Sequence, residues 1–285
     1  MNKKILIGIG IVILAVGGIV LFKAPQYAAA KKSSDGIVAA VKQETAKPQN
    51  MDEAVSQAVK GRESAYGLGE VATEGHIILD SEETDGVIKV YTIASYGAFG
   101  FENGIFTKVS GSGAIPTVIT FSKSQTGEYS LLEYKEPLDG ALLVKSTKKM
   151  FPKALHTRVL SNTQQDYPDL VRQQEAQATE YLKDIGRTAR VSADHVKKEL
   201  AKINVEASNK LFTELTKDNA FLNDCPYWLG TREKVENGAR YIYETSQSKT
   251  DDGCNLMTFR KTKEDGVLVE EARYKIVGSE PQRID

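Results

Sequence analysis

Three patterns of apolar and polar positions follow one another along the chain. The first is an unbroken apolar run, Ile5–Phe22, flanked by Lys3, Lys4 and Lys23. At ~1.5 Å per residue it extends about 27 Å, close to the ~30 Å hydrocarbon core of a bilayer. It predicts a membrane anchor over 1–23, with cleavage near Ala30, after the small residues Ala28-Ala29-Ala30, as the alternative. The very short basic N-terminus sets the orientation, with that end in the cytoplasm and the chain from about residue 24 onward outside. Residues 24–49 are rich in Ala, Lys, Ser and Gln, carry no sustained period, and read as a tether.

The second pattern has helical spacing. Ala54, Val55, Ala58 and Val59 follow Asn50, a good N-cap, and Asp52 and Glu53 sit where the helix dipole favours acids. A helix over about 51–64 is expected. The third pattern is strand-like. Val71–Leu79, Val87–Tyr96, Ile105–Val109, Pro116–Phe121 and Tyr129–Lys135 are rich in β-branched and aromatic residues and are separated by turn clusters. Among the turns is Glu102-Asn103-Gly104, where Asn-Gly accepts the positive φ of a type I′ hairpin. Short turns imply antiparallel pairing, so 50–138 reads as one helix on an antiparallel sheet.

Helical spacing returns over 139–218, in Ala141–Phe151, Tyr167–Ile185, Asp194–Leu200 and Val205–Leu215. Residues 219–278 then read as a second, smaller antiparallel meander through Tyr227–Lys234, Arg240–Thr245, Leu256–Lys261 and Val267–Tyr274. Its turns are Glu236-Asn237-Gly238 and Glu264-Asp265-Gly266, and 279–285 reads as a frayed tail. The expected class is α+β.

Composition narrows the function more than the fold. The 285 residues carry 37 Lys+Arg against 38 Asp+Glu. Setting aside Lys3, Lys4 and Lys23 leaves 34 against 38, which gives no basic footprint for nucleic acid. Two cysteines, Cys225 and Cys254, allow one disulfide outside the membrane or two free thiols. His76, His156 and His195 are scattered without metal-ligand spacing, so neither a metal nor another cofactor is expected.

Several stretches resemble a known region. They are Glu74-Gly75-His76-Ile77-Ile78-Leu79, Tyr96-Gly97 with Phe101-Glu102-Asn103-Gly104, and Val109-Ser110-Gly111-Ser112-Gly113 with Ile115-Pro116. Lys148-Lys149-Met150-Phe151-Pro152 and Trp228-Leu229-Gly230-Thr231 with Glu236-Asn237-Gly238 and Tyr241 complete the set. Together they resemble the extracytoplasmic C-terminal region of Firmicute membrane metallopeptidases of the beta-lactam-sensor (antirepressor) type, over about 68–190 and 225–275. The chain departs from that family in having one apolar span and no H-E-x-x-H. The resemblance therefore implies a sensor-like outer module without its protease, in a Gram-positive bacterium, and it implies no ligand.

The candidate chemistry is sparse. Ser146-Thr147-Lys148-Lys149 fits S-x-x-K, which would set Ser146 and Lys149 one helical turn apart for acyl transfer; no S-D-N or K-T-G accompanies it. Glu74 and His76 share a strand face and could pair as orienter and base. Gly111-Ser112-Gly113 reads as a turn or bulge. Tyr91, Tyr96 and Phe101, with Glu74 and His76, are the ligand-binding candidates if one face of the first sheet is concave. Lys145, Lys148, Lys149 and Lys153, with Arg158, form a basic stretch able to meet an anionic envelope polymer or lipid headgroups. The expected function is a non-enzymatic extracytoplasmic binding or sensor-like module, partnered by the membrane through Ile5–Phe22 and by a small ligand. The alternative is an envelope interaction protein that docks a membrane partner through the polar helices of 141–217.

Overall fold

One strand organises the molecule. Val87–Glu102 (β2) carries no charge between Lys89 and Glu102, and almost every residue in it is buried. Such a run marks a strand covered on both faces. The computed structural model describes residues 47–284, apart from Asn162 and His195. The expected anchor over Ile5–Phe22, the Ala30 cleavage site and most of the tether lie outside the described residues. Among the described residues, no helix is long and apolar enough to cross a membrane.

β2 pairs along its length with Val71–Thr84 (β1), turning through Asp85-Gly86 at positive φ. On its other side it pairs first with Ile115–Lys123 (β4) and then with Ile105–Gly111 (β3), the latter through the expected Asn103-Gly104 turn. Tyr129–Lys135 (β5) pairs β4 at an edge. Ile88, Val90, Ala94, Tyr96 and Ala98 point to one face of β2. There they meet Ala54, Val55, Ala58 and Val59 of Met51–Lys60 (α1), capped by Asn50 as expected. Glu63–Tyr66 (α2) follows after a break at Gly61. Tyr91, Ile93, Phe99 and Phe101 point to the opposite face, under Leu143–Met150 (α3), His156–Ser161 (α4) and Thr163–Asp184 (α5). The result is an α/β/α sandwich around one strand.

The second meander forms as expected, from Gly230–Glu236 (β7), Ala239–Lys249 (β8), Asn255–Lys263 (β9) and Leu268–Val277 (β10). It does not stand apart. Glu102 at the end of β2 bridges Arg232 in β7, so both meanders belong to one eleven-stranded, largely antiparallel sheet. The seam is braced by two part-buried ion clusters. Arg240 bonds Glu70 (2.5 Å) and Glu233 (3.1 Å), and Arg187 also holds Glu233 (2.6 Å). In the other cluster Glu102 meets Lys198 (3.0 Å) and Arg232 (3.8 Å), and both cations lie over the fully buried Trp228.

Two expectations are corrected. Residues 194–200 form no helix. Val191–Ser192 (β6) pairs in parallel with β3, Glu199 bridges Leu229, and Lys198 is drawn to Glu102 and Trp228. The tail is not frayed, because Glu280–Arg283 (β11) folds back on β10 through Gly278 at positive φ. The cysteines take the free-thiol alternative. Cys225 faces Arg260 near one end of β9, while Cys254 precedes its other end. Six residue steps along the strand, about 20 Å, separate those positions, far beyond the ~4.4–6.8 Å Cα span of a disulfide. Two short helices, Val205–Asn209 (α6) and Ala220–Asp224 (α7), cover one face of this meander, α7 having gone unpredicted.

Candidate functional site

The partner of β2 changes from β4 to β3 between Ala94 and Gly97. Ser95 and Tyr96 have no strand neighbour on that side, and Gly111-Ser112-Gly113 fills the gap. The Ser112 N–H donates to the Tyr96 carbonyl (3.0 Å), the Tyr96 N–H to Ser112 Oγ (3.0 Å), and Ser95 Oγ to the Ser112 carbonyl (3.0 Å). The expected turn is thus the stitch of a split sheet. Lys108 Nζ donates to the same Ser112 carbonyl (3.1 Å) and to the Tyr167 hydroxyl (3.3 Å). Burial pushes the Lys108 amine down to about 8.

Where β3 and β4 part, a hollow of about 350 Å³ opens. Ala114, Ile115 and Pro116 line it with Tyr66 and Glu136 of the α1 side, and with Leu143, Val144, Thr147, Val159, Thr163 and Gln164 of the α3–α5 side. Tyr66 donates to Glu136 Oε1 (2.5 Å), and Arg62 lies 4.0 Å from the same carboxylate. Burial, reinforced by Glu136, raises the Tyr66 hydroxyl above the ordinary tyrosine range, so it stays a hydrogen-bond donor. Arg62 also stacks over Tyr134 (4.7 Å), and its buried Nε has no partner. A mostly apolar hollow with a few fixed polar groups has the make-up of a small-ligand site. A shallower dip of about 480 Å³ lies between the turns at Gly238–Arg240 and Lys263–Asp265.

The sequence-derived candidates sit elsewhere, and the structure does not bring the three aromatic ones together. Tyr91 packs with Phe151, Val118 and Val159. Tyr96 lies in the α1 core, donates to the Gly67 carbonyl (3.1 Å) and stacks on Tyr66 behind the hollow. Phe101 is packed against Phe106, with the Arg187 and Arg240 guanidiniums 4.0 and 5.1 Å from its ring. All three are core residues. Ser146 Oγ accepts from the Leu138 N–H (2.9 Å) and donates to the Leu142 and Leu143 carbonyls, closing a loop.

Glu74 and His76 do pair, at 2.9 Å through Nδ1, but Nε2 is taken by Asp52 of α1 (3.2 Å). Both ring nitrogens therefore face carboxylates, an arrangement that suits an imidazolium pinning α1 to β1. Burial opposes the charge on His76; the hydrogen bond and charge of Glu74, then of Asp52, outweigh it and raise the pKa. Burial likewise works against the Glu74 carboxylate, and His76 holds it below its ordinary value. A raised histidine contributes stability that is complete below its unfolded pKa of ~6.5 and is lost as pH climbs through the folded value. Unfolding midpoints in urea should therefore fall from about pH 6.5 upward, and His76→Gln should flatten that decline. On the acid side, the Glu74 contribution is present above its unfolded pKa of ~4.3 and is lost as pH falls through the folded one.

Comparison with family models, with curated proteins and with solved structures returns no match. The hollow was missed in the sequence because its lining comes from six separate segments, joined only by the switch of strand partner.

Proposed function

We propose that this chain is a membrane-anchored, extracytoplasmic binding or sensor-like module without catalytic activity, and that its ligand occupies the hollow where β3 and β4 part. The observation that carries this is the hollow itself, a cleft with apolar walls whose polar groups, Tyr66, Glu136, Asp139, Thr147, Thr163 and Gln164, come from several separate segments. The closed Glu74–His76–Asp52 set and the engaged Ser146 hydroxyl support binding over catalysis, since neither leaves its reactive atom free to meet a substrate. The resemblance to the outer region of beta-lactam-sensor metallopeptidases points the same way, as does the apolar run Ile5–Phe22 for the anchor.

The test is a thermal-shift screen of envelope components and amphiphilic amines on the full chain in detergent. A ligand at a hundred times its Kd stabilises by ~2.7 kcal/mol, a rise of about 5–10 °C for a domain of this size. Val144→Trp, which plugs the hollow from an exposed wall, should abolish the shift. A ligand whose shift survives that variant binds elsewhere, and the assignment then fails.

A further inference from the structure

The loop entering α3 and its first residues leave Ala141, Leu142, Leu143 and Val144 exposed in succession, with Leu138 beside them. The large side chains are 43–59 % exposed. Leu143 and Val144 wall the hollow, but Leu138 and Leu142 neither line it nor join a core cluster, so folding does not explain their exposure. Lys145, Lys148 and Lys149 follow on the same helix, and Lys153 lies just beyond. All four are exposed and pair with no carboxylate among the described residues. At 100° per residue, Leu142, Lys145 and Lys149 share the outward side with Lys148 on its flank, while Thr147 faces the core and Val144 turns toward the hollow. The lysines stand one to two turns, about 5–10 Å, behind Leu142.

We propose that this patch docks on an anionic lipid bilayer, with Leu138 and Leu142 entering the headgroup–acyl boundary and Lys145, Lys148 and Lys149 meeting lipid phosphates. The depth matches the ~5–10 Å to which interfacial apolar faces are buried, and the stagger sets the cations at headgroup height. Each lysine near such a surface raises partition about fivefold, and Asp139 is the one acid residue within 138–165 to oppose it. The chain also reaches. The 24 residues between Phe22 and Lys47 span up to about 80 Å when extended. The described chain starts where the Pro48 carbonyl accepts from the Tyr129 N–H, at the head of β5, the strand that leads to Leu138. An anchor at Ile5–Phe22 would thus hold the patch near the same membrane at high effective concentration. Leu138 and Leu142 do not line the hollow, so this contact is separate from ligand binding.

The probe is Leu142→Trp in the full chain, reconstituted into vesicles whose acyl chains are brominated. The native Trp228 is fully buried and serves as the unchanged reference. In vesicles of phosphatidylcholine with phosphatidylglycerol, the added indole should shift to the blue and be quenched. Both effects should largely vanish in phosphatidylcholine alone, in high salt, and when Lys145→Glu, Lys148→Glu and Lys149→Glu are combined, a weakening of about a hundredfold at fivefold per lysine. Emission that stays at the water-exposed maximum and unquenched with phosphatidylglycerol present overturns the proposal. So does a blue shift that appears without lipid and grows with protein concentration, because a second copy then covers the patch. Ligand binding in the hollow is read separately by the Val144→Trp thermal shift, so either reading can fail alone.

Discussion

Gly75→Ala is expected to be among the most damaging single substitutions in this protein, lowering stability by about 3 kcal/mol or more. α5 lies against β1 so closely that a Cβ at Gly75 would stand 2.6 Å from Leu170 Cα and closer still to its carbonyl oxygen. That neighbour is backbone, so no rotamer change relieves it. The approach is needed because α5 bonds to the edge of β1. Gln173 accepts from the His76 N–H (3.0 Å) and donates to its carbonyl (3.2 Å); Gln177 does the same for Glu74 (3.2 and 2.8 Å). Four helix residues rise ~6 Å and two strand residues ~6.6 Å, so glutamines at i and i+4 meet strand positions j and j+2 in register. Moving α5 outward breaks all four bonds. The checks are a Tm lowered by roughly 6–12 °C and loss of hydrogen-exchange protection at the Glu74 and His76 amides. A Tm within a degree or two of wild type would show that α5 does not depend on this approach.

Arg240→Met is expected to cost about 3–5 kcal/mol, the usual result of removing one partner from a buried ion pair. Arg240, Glu70 and Glu233 have side chains 9, 5 and 10 % exposed, so little solvent replaces the lost guanidinium. Hydrogen bonding to Glu70, then its charge and that of Glu233, holds the Arg240 pKa far above its ordinary value. Without Arg240, Arg187 still meets Glu233 but Glu70 keeps only the Tyr181 hydroxyl (3.0 Å). Adding Glu70→Gln should therefore recover part of the loss, and a double-mutant cycle by urea unfolding measures the coupling. Simple additivity would show that the pair does not brace the seam.

Much of the secondary structure was legible because its signals are local. The Asn50 cap, the α1 stripe and the Asn-Gly turns at 103–104 and 237–238 lie where the residue types require them. The two-sided burial of β2 was missed, although its uncharged run between Lys89 and Glu102 carries the signal. The pairing of β2 with four other strands carries no such signal, because strand partnership is set by distant chain. α5 misled for a different reason. Its buried stripe is Leu170, Gln174, Ala178 and Leu182, with polar Gln174 in the middle, and Gln173 and Gln177 look like solvated positions. A glutamine amide carries the same donor and acceptor as a peptide group, so it can finish a strand edge, and no periodicity reports that. Similarly, Trp228 and Lys198 gave no hint of the seam they fill, and the aromatic candidates turned out to be core because β2 has no open face.

The clasp by α5 has a consequence for behaviour at high concentration. A fourteen-residue edge strand such as β1 is a ready template for another chain. Here its buried half is already capped by glutamine amides, and its outer half, Asp80 to Thr84, is exposed and carries Asp80, Glu82 and Glu83. An incoming strand would meet an occupied edge at one end and like-charged carboxylates at the other. The longest ribbon in the molecule is thereby guarded against intermolecular pairing and aggregation.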